Sequence, residues 1–495
     1  MKFFFFLIPF FLFANNLSLS FLLSKPKSYV RDFYLTQFMK ETNNSVLAFK
    51  AYTALYKVKL FKHTKILAKF DAFKQIYKCV NVKKSYLRNV NISCILNNGL
   101  SLKTISTLSK DDLLYLYNRL PVSKQKSAVK DFLDNNFSNV FKNRDLGYYF
   151  MIQYPNKIID QKIDNFSIFE DRYFYMFVKS AVTNHLSKIQ KSLEKIDYKK
   201  FDDKTKWWLF LNALTLKNYK KAKKIILSIR YRTSKINFWL WKITGDKQYF
   251  NALLNNPRVN FYTLYAYEKA DKKFKIKTDI IYNSIKNPEY NETNPWSVLK
   301  FFNALKYQNP FNLAKKLDNN KSIALKALAL DKAFHFKYNI FITPDIYNDK
   351  NETLKAFVYA IARQESRFIP ASVSSSYALG TMQLMPFLVK DYKGDIFRQF
   401  DYKENIKLGV RQLKWLFKNL KNPLMVAYAY NAGIGFVKRK VIPYFLYKGK
   451  YEPFLSMELI PLDETREYTK KVLANYVIYS KIFGKKISLY KLIEK

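Results

Sequence analysis

Between residues 21 and 340 the chain alternates helix-length amphipathic stretches with short polar breaks. Trp207, Trp208, Phe210, Leu211, Leu214 and Leu216 form one apolar stretch, a basic segment covers 218–224, and Ile225, Ile226 and Ile229 resume the pattern. Phe238, Trp239, Trp241 and Ile243 then precede the Gly245-Asp246 break, after which Tyr249, Phe250, Leu253 and Leu254 begin again. Short helices joined by short turns, repeated without a strand pattern, predict stacked helical hairpins, although no fixed repeat length emerges. The aromatic residues of these stretches are expected in the core. Near Thr343-Pro344-Asp345 the texture changes, and the segment to about residue 485 holds several of the glycines and the sharper motifs. The expectation is an all-α chain: an N-terminal α-superhelix of short helical hairpins over 21–340, a mainly helical second domain over 341–485, and a tail over 486–495.

The second domain opens on a well-marked helix. Asn351 can cap it, Glu352 suits its first turn and Pro370 ends it. Leu354, Phe357, Val358, Ile361 and Ala362 fall at i, i+3, i+4, i+7 and i+8, a core-facing stripe. The next position on that stripe is Glu365. Its helical neighbours at i−4, i−3, i+3 and i+4 are Ile361, Ala362, Phe368 and Ile369, so no lysine or arginine within the helix pairs with it. A carboxylate held on an apolar face without a local cation is expected to resist ionisation, which suits a general acid. A glutamate satisfied by a distant arginine fits the helix equally well.

The stretches that follow shift that balance. Residues 370–380 (PASVSSSYALG) are small and polar, a loop able to approach a sugar closely. Thr381 to Pro386 (TMQLMP) supplies Gln383, an amide that can donate and accept, and Met385 for apolar contact. After a helical pattern of Ile406, Val410, Leu413 and Leu416, Ala427 to Gly433 (AYAYNAG) brings the phenol of Tyr430 and the turn-forming amide of Asn431.

The ordered blocks ARQES, MQLMP, AYNAG and Ile460 to Tyr468 (IPLDETREY) resemble the motifs of the soluble lytic transglycosylases, enzymes of the goose-type lysozyme fold. The likeness covers roughly Ala356 to Tyr479. Asn260 to Lys269 (NFYTLYAYEK) is similar, more weakly, to a helix upstream in the long superhelical members, with Thr263 and Tyr265 departing from its pattern. The resemblance implies a lysozyme-like transglycosylase catalytic domain over 341–485. It implies that Glu365 is the catalytic acid/base and that Ser374 is a loop serine near that acid and the substrate. Gln383 and Met385 would line the substrate groove, Tyr430 would be the active-site tyrosine, with Asn431 beside it, and Glu464 a second, substrate-binding carboxylate. Thr381 replaces the leucine usual at its place, which generally packs inward. The implied reaction cleaves the MurNAc-β-1,4-GlcNAc bond of peptidoglycan without water, giving 1,6-anhydroMurNAc ends, with neither metal nor organic cofactor. The alternatives are a hydrolytic muramidase of the same fold, with Asp391, Asp395 or Asp401 activating water, and a non-catalytic glycan-binding scaffold.

Composition adds the compartment. At 495 residues the chain exceeds one core, and with 49% apolar and 18% aromatic residues it is not disordered. Only 10 glycines and 15 prolines favour helices over a loop-rich β fold. The formal charge of +48 attracts polyanions, including the carboxylate-bearing peptides of a cell wall. The basic residues are spread along the chain without a nucleic-acid motif, so nucleic acid is not the expected partner, and the resemblance implies glycan strands instead. Whether other wall enzymes are partners is left open by the sequence. Lys2, the apolar Phe3 to Ala14 run and the small polar residues to Ser20 read as a secretory signal over 1–20, too short for a comfortable membrane span. No later apolar run reaches about 18 residues, so an exported, periplasmic protein is expected, with no integral membrane segment after cleavage. Cys79 and Cys94 are the only cysteines and could pair in an oxidising compartment; His63, His185 and His335 lie too far from them and from each other for a zinc spacing.

Overall fold

The structure, a computed structural model, describes residues 18–80, 82, 84–98, 100–134, 171–278, 289–317, 322–337 and 339–493. Among the described residues the helices are joined by turns and loops, and the β structure is confined to isolated bridges, two of which (Val373 with Leu379, Leu379 with Leu384) fall in one loop. None of these helices is long and apolar enough to cross a membrane. The signal read over residues 1–20 lies almost wholly outside the described residues. The chain divides into two compact units, one of 1–70, 257–434 and 468–492, the other of 71–256, 435–467 and 493–495.

The second unit is built of helical hairpins. Asp203–Thr215 packs on Tyr219–Leu227 and on Asp171–Thr183, and Ser234–Thr244 packs on Lys247–Leu254. Side-chain caps start these helices: Asp202, Asn218, Thr233 and Asp246 each accept a backbone N–H of the first turn. Gly245 ends the Ser234–Thr244 helix in the left-handed conformation, at φ 74°. Trp207, Trp208, Phe210, Phe238 and Trp239 are buried, with Phe210 and Trp239 edge to face at 5.6 Å, so the aromatic runs are core. In this unit Cys79 and Cys94 are joined as a disulfide, with Cα atoms 4.9 Å apart.

The first unit surrounds the Glu352–Ser366 helix. Asn351 caps it by accepting the Leu354 N–H at 3.1 Å. The expected one-sided stripe is too narrow: every residue from Ala356 to Ala362 is buried, so this is a central helix covered on all sides. Phe357 packs at 5.0 Å against both Phe417 and Tyr476, and Tyr359 lies 5.5 Å from Tyr479. The Tyr359 hydroxyl donates to the Pro344 carbonyl at 2.6 Å and the Asn475 amide to that of Ala360 at 3.3 Å. These ties fix the helix axially and so fix what its last turn presents.

Candidate active site

Glu365 sits half-buried in that last turn. The chain leaves the helix through two consecutive non-glycine residues in the left-handed region, Arg367 at φ 54° and Phe368 at φ 70°. Such a backbone is unfavourable for residues with a Cβ and persists only when held from outside. Arg367 Nη1 is held 2.5 Å from Oδ2 of buried Asp331, and the Phe368 N–H reaches the Ala362 carbonyl at 3.3 Å. Ser366, the second residue of the Glu-Ser pair, donates from its buried hydroxyl to the Thr381 carbonyl at 2.7 Å. The helix end is thereby tied to the loop that carries Gln383.

That loop is a tight hairpin. Leu379 and Leu384 exchange backbone hydrogen bonds at 2.9 Å each, and Gly380 turns the chain at φ 80°. A Cβ at Gly380 would stand 2.3 Å from the Gln399 carbonyl oxygen and 2.4 Å from Asn405 Nδ2, so only glycine fits. Fully buried Asn405 pins the hairpin from outside: its Oδ1 accepts the Met382 N–H at 2.7 Å and its Nδ2 donates to the Leu379 carbonyl at 3.0 Å. Gln383, itself at φ 50°, spends its amide nitrogen on the Gly380 and Ser372 carbonyls at 2.8 and 3.2 Å. What it retains for a ligand is the amide oxygen. Ser374 accepts the Ala378 and Ser376 N–H groups at 2.9 and 3.2 Å, a turn-stabilising role. Met385 is half-buried at the start of the Pro386–Asp391 helix.

Two tyrosines complete the site. The Tyr468 hydroxyl, on a side chain only 5% exposed, donates to Glu365 Oε1 at 2.6 Å. Tyr430 donates to the Met382 carbonyl at 2.8 Å. Burial first, then the charges of Glu365 and Tyr392, push its phenol well above the ordinary tyrosine range, so it stays a neutral donor. Asn431 follows half-buried in the same Pro423–Ala432 helix. Glu464 is exposed in the first turn of the Asp463–Ile482 helix and belongs to the second compact unit. The structure thus brings Glu365, the 379–384 hairpin and Tyr430 together. It adds Tyr468 and Asn405, which sequence reasoning did not single out; Tyr468 closes the IPLDETREY block, and Asn405 interrupts the apolar face of the Tyr402–Leu420 helix. Asp391, Asp395 and Asp401 are exposed, and the latter two spend a carboxylate oxygen on the Phe397 and Lys403 N–H groups at 2.8 Å.

Residues 343–444 match the transglycosylase SLT domain. The chain is 31% identical over 170 residues to the soluble lytic murein transglycosylase of Salmonella typhimurium, a match covering 32% of this chain and 25% of that protein. It is 30% identical over 175 residues to the Escherichia coli protein of the same name, covering 33% and 26%. The match therefore spans about a quarter of the length of these curated relatives. Among solved structures, an inactive mutant of the lytic transglycosylase Slt from Pseudomonas aeruginosa superposes with a TM-score of 0.52 at 15% identity, covering 93% of this chain and 82% of that one. The 70 kDa soluble lytic transglycosylase of Escherichia coli gives 0.50 at 15% identity, covering 95% and 89%. These two likenesses establish the all-helical fold.

Proposed function

We propose that this chain, whose residues 343–444 match the transglycosylase SLT domain, is a peptidoglycan lytic transglycosylase with Glu365 as its acid and then its base. The observation that carries the reading is Glu365 itself: a half-buried carboxyl at the end of a buried helix, held on one oxygen by Tyr468 and facing a phenol kept neutral. Protonated Glu365 gives its proton to the oxygen leaving C1 of N-acetylmuramic acid, and the C1–O bond to N-acetylglucosamine breaks. The sugar's own 2-acetamido group stabilises the cationic centre, aided by the Tyr430 dipole. Glu365, now a carboxylate, takes the proton of the C6 hydroxyl as that oxygen bonds to C1. The products are a 1,6-anhydro ring and a free 4-hydroxyl; no water is consumed and Glu365 ends protonated as it began.

Ordinary glycosidases pair two carboxylates across the scissile bond. Here the aspartates that could act as a water-activating base are exposed, and two of them cap helices, which favours the anhydro route over hydrolysis. In the same reading Gln383 Oε1, Met385 and Asn431 line the groove, and Ser374 shapes the loop beside it. Glu464 binds substrate, and export places the enzyme in the periplasm, where the Cys79–Cys94 bridge persists. The deciding experiment is mass spectrometry of muropeptides released from sacculi by the wild type and by Glu365→Gln. Anhydromuramic ends from the wild type alone are expected. Reducing ends would make the enzyme a lysozyme, and no release with glycan binding intact would make it a wall-binding protein.

A further inference from the structure

The first compact unit holds a group of lysines that the reaction does not use. Lys59 and Lys62 place their ammonium groups 4.5 and 4.1 Å from the centroid of the same ring, that of Tyr377. The Lys59 ammonium also donates to the Ser375 carbonyl, in the loop that runs on to Gln383. Burial, then the charges of Lys59 and Lys40, bring Lys62 down to about 8. Burial and then the charge of Lys390 hold Lys40 below the usual lysine range, with Glu41 opposing. Lys62 thus feels Lys59 and Lys40, and Lys40 in turn feels Lys390, from three segments of chain around residues 40, 59–62 and 390.

Glu41 opposes at Lys40, whose ammonium also donates to the neutral amide oxygen of Gln37 at 3.3 Å. Asp32 draws Lys59 upward but has both oxygens engaged, by the Tyr56 N–H at 2.7 Å and the Lys57 N–H at 2.8 Å. The scaffold beneath is buried. Tyr377 is 1% exposed and held at φ 69°. Its hydroxyl lies 3.3 Å from Nε2 of buried His63, whose Nδ1 accepts the Lys59 N–H at 2.9 Å. That acceptor role and the surrounding lysines keep His63 neutral, its imidazole brought down to about 4 by burial first. A buried frame that holds like charges together against their repulsion marks a place where an anion is expected.

We infer that Lys40, Lys59, Lys62 and Lys390 form a binding site for the peptide-stem carboxylates of the glycan strand being cleaved. The inference rests on the peptidoglycan reading above and extends it from the sugar to the stem. All four groups are lysines, compact point charges on flexible stems, and none is the planar fork that suits a phosphate bidentately. Such a set matches several separated carboxylates better than one phosphate. The loop geometry agrees: Tyr377, between the lysines, is six residues from Gln383 on one tied loop, so stem and sugar would be read by the same segment.

The test compares the full chain with Lys62→Gln, Lys62→Glu, Lys390→Gln and Lys62→Arg on two substrates. One is purified glycan strands with their peptide stems; the other is the same strands stripped of stems by an amidase. For Lys62→Glu, KM on stem-bearing strands should rise roughly ten-fold with kcat unchanged, and the wild-type advantage should shrink with added salt. On stripped strands KM should not move, and Lys62→Arg should behave as wild type. Equal changes on both substrates, or none on either, would overturn the site. So would loss of binding to phosphatidylglycerol vesicles in Lys62→Glu with KM intact, which would assign the lysines to lipid. If the wild type cleaves neither strand the transglycosylase reading fails. Co-sedimentation with the two strand types then still decides the site, since wild type but not Lys62→Glu should prefer the stem-bearing one. Matching circular dichroism spectra establish that the variants are folded.

Discussion

At the scale of single residues, Glu365 was legible because a carboxylate on an apolar stripe contradicts its surroundings. Tyr468 was not, because a tyrosine in a helix gives no local sign of a partner 103 positions away. Its hydroxyl donates to Oε1 of Glu365 and so helps fix that carboxyl's orientation. Tyr468→Phe removes only that donor, and a hydrogen bond to an ionisable group is worth roughly 1.5–3 kcal/mol. The kcat for release of anhydro ends should therefore fall by about ten-fold or more with little change in KM; an unchanged kcat would place Tyr468 outside the mechanism. Thr381 shows the opposite case, a departure from the family pattern that the fold tolerates at a cost. It is fully buried with its hydroxyl unpartnered among the described residues, while its carbonyl accepts from Ser366. Replacing an unsatisfied buried hydroxyl by a methyl of the same shape removes a desolvation penalty of about 1 kcal/mol or more. Thr381→Val should raise the thermal midpoint and leave activity in place, since the backbone carbonyl is untouched.

At the scale of elements, the helical texture of the chain was readable from hydrophobic spacing, and Asn351 does cap the helix that bears Glu365, but that helix ends at Ser366 through left-handed Arg367 and Phe368, before Pro370 is reached. The spacing predicted one buried face, whereas the Ala356–Ala362 turns are buried all round. Alanines and a tyrosine count as polar-side fillers in a periodicity, but they are small or amphipathic enough to accept a neighbour on the second face. The 371–385 loop was recognisable as a loop, yet what shapes it is remote: Asn405 and Ser366 hold it, and Gln399 accepts from the Asn405 amide, by bonds that no local pattern encodes. Gln383 and Ser374, read as substrate-facing, turn out to spend much of their hydrogen bonding on this loop's own backbone. Gly380 makes the loop's tolerance measurable. A Cβ there meets a backbone carbonyl at 2.3 Å at a φ of 80°, so the obstacle cannot rotate away as a side chain would. Left-handed strain and overpacking each cost about 1–3 kcal/mol, and they add here. Gly380→Ala should destabilise the protein by about 3 kcal/mol, seen in the denaturation midpoint. The surviving folded fraction should lose kcat, because the Met382 carbonyl that receives Tyr430 moves with the turn.

At the scale of the whole molecule, a formal charge of +48 surrounds every carboxyl with a field that favours its ionised form. Glu292 shows where burial overcomes that field. It is 8% exposed, and desolvation pushes its carboxyl up to about 8 although the Ala324 and Leu325 N–H groups, 3.0 and 3.4 Å away, pull it down. Its backbone carbonyl also receives the Ala371 N–H at 3.0 Å, at the root of the 371–385 loop. The sign follows from linkage: in the unfolded chain the group ionises near its ordinary value of 4.5, in the folded chain only near 8. Below pH 4.5 both states are protonated and this residue costs nothing; between 4.5 and 8 the unfolded state alone gains by ionising, so stability falls steadily across that window. At 1.4 kcal/mol per pH unit the loss is on the order of a few kcal/mol, a large share of the margin of a typical domain. Glu292→Gln, which keeps the shape and an acceptor for both N–H groups, should flatten the decline of the denaturation midpoint between pH 5 and pH 8 and leave the protein more stable at the upper end. If wild type and variant run parallel across that window, the two N–H groups outweigh desolvation and Glu292 is a charged helix cap.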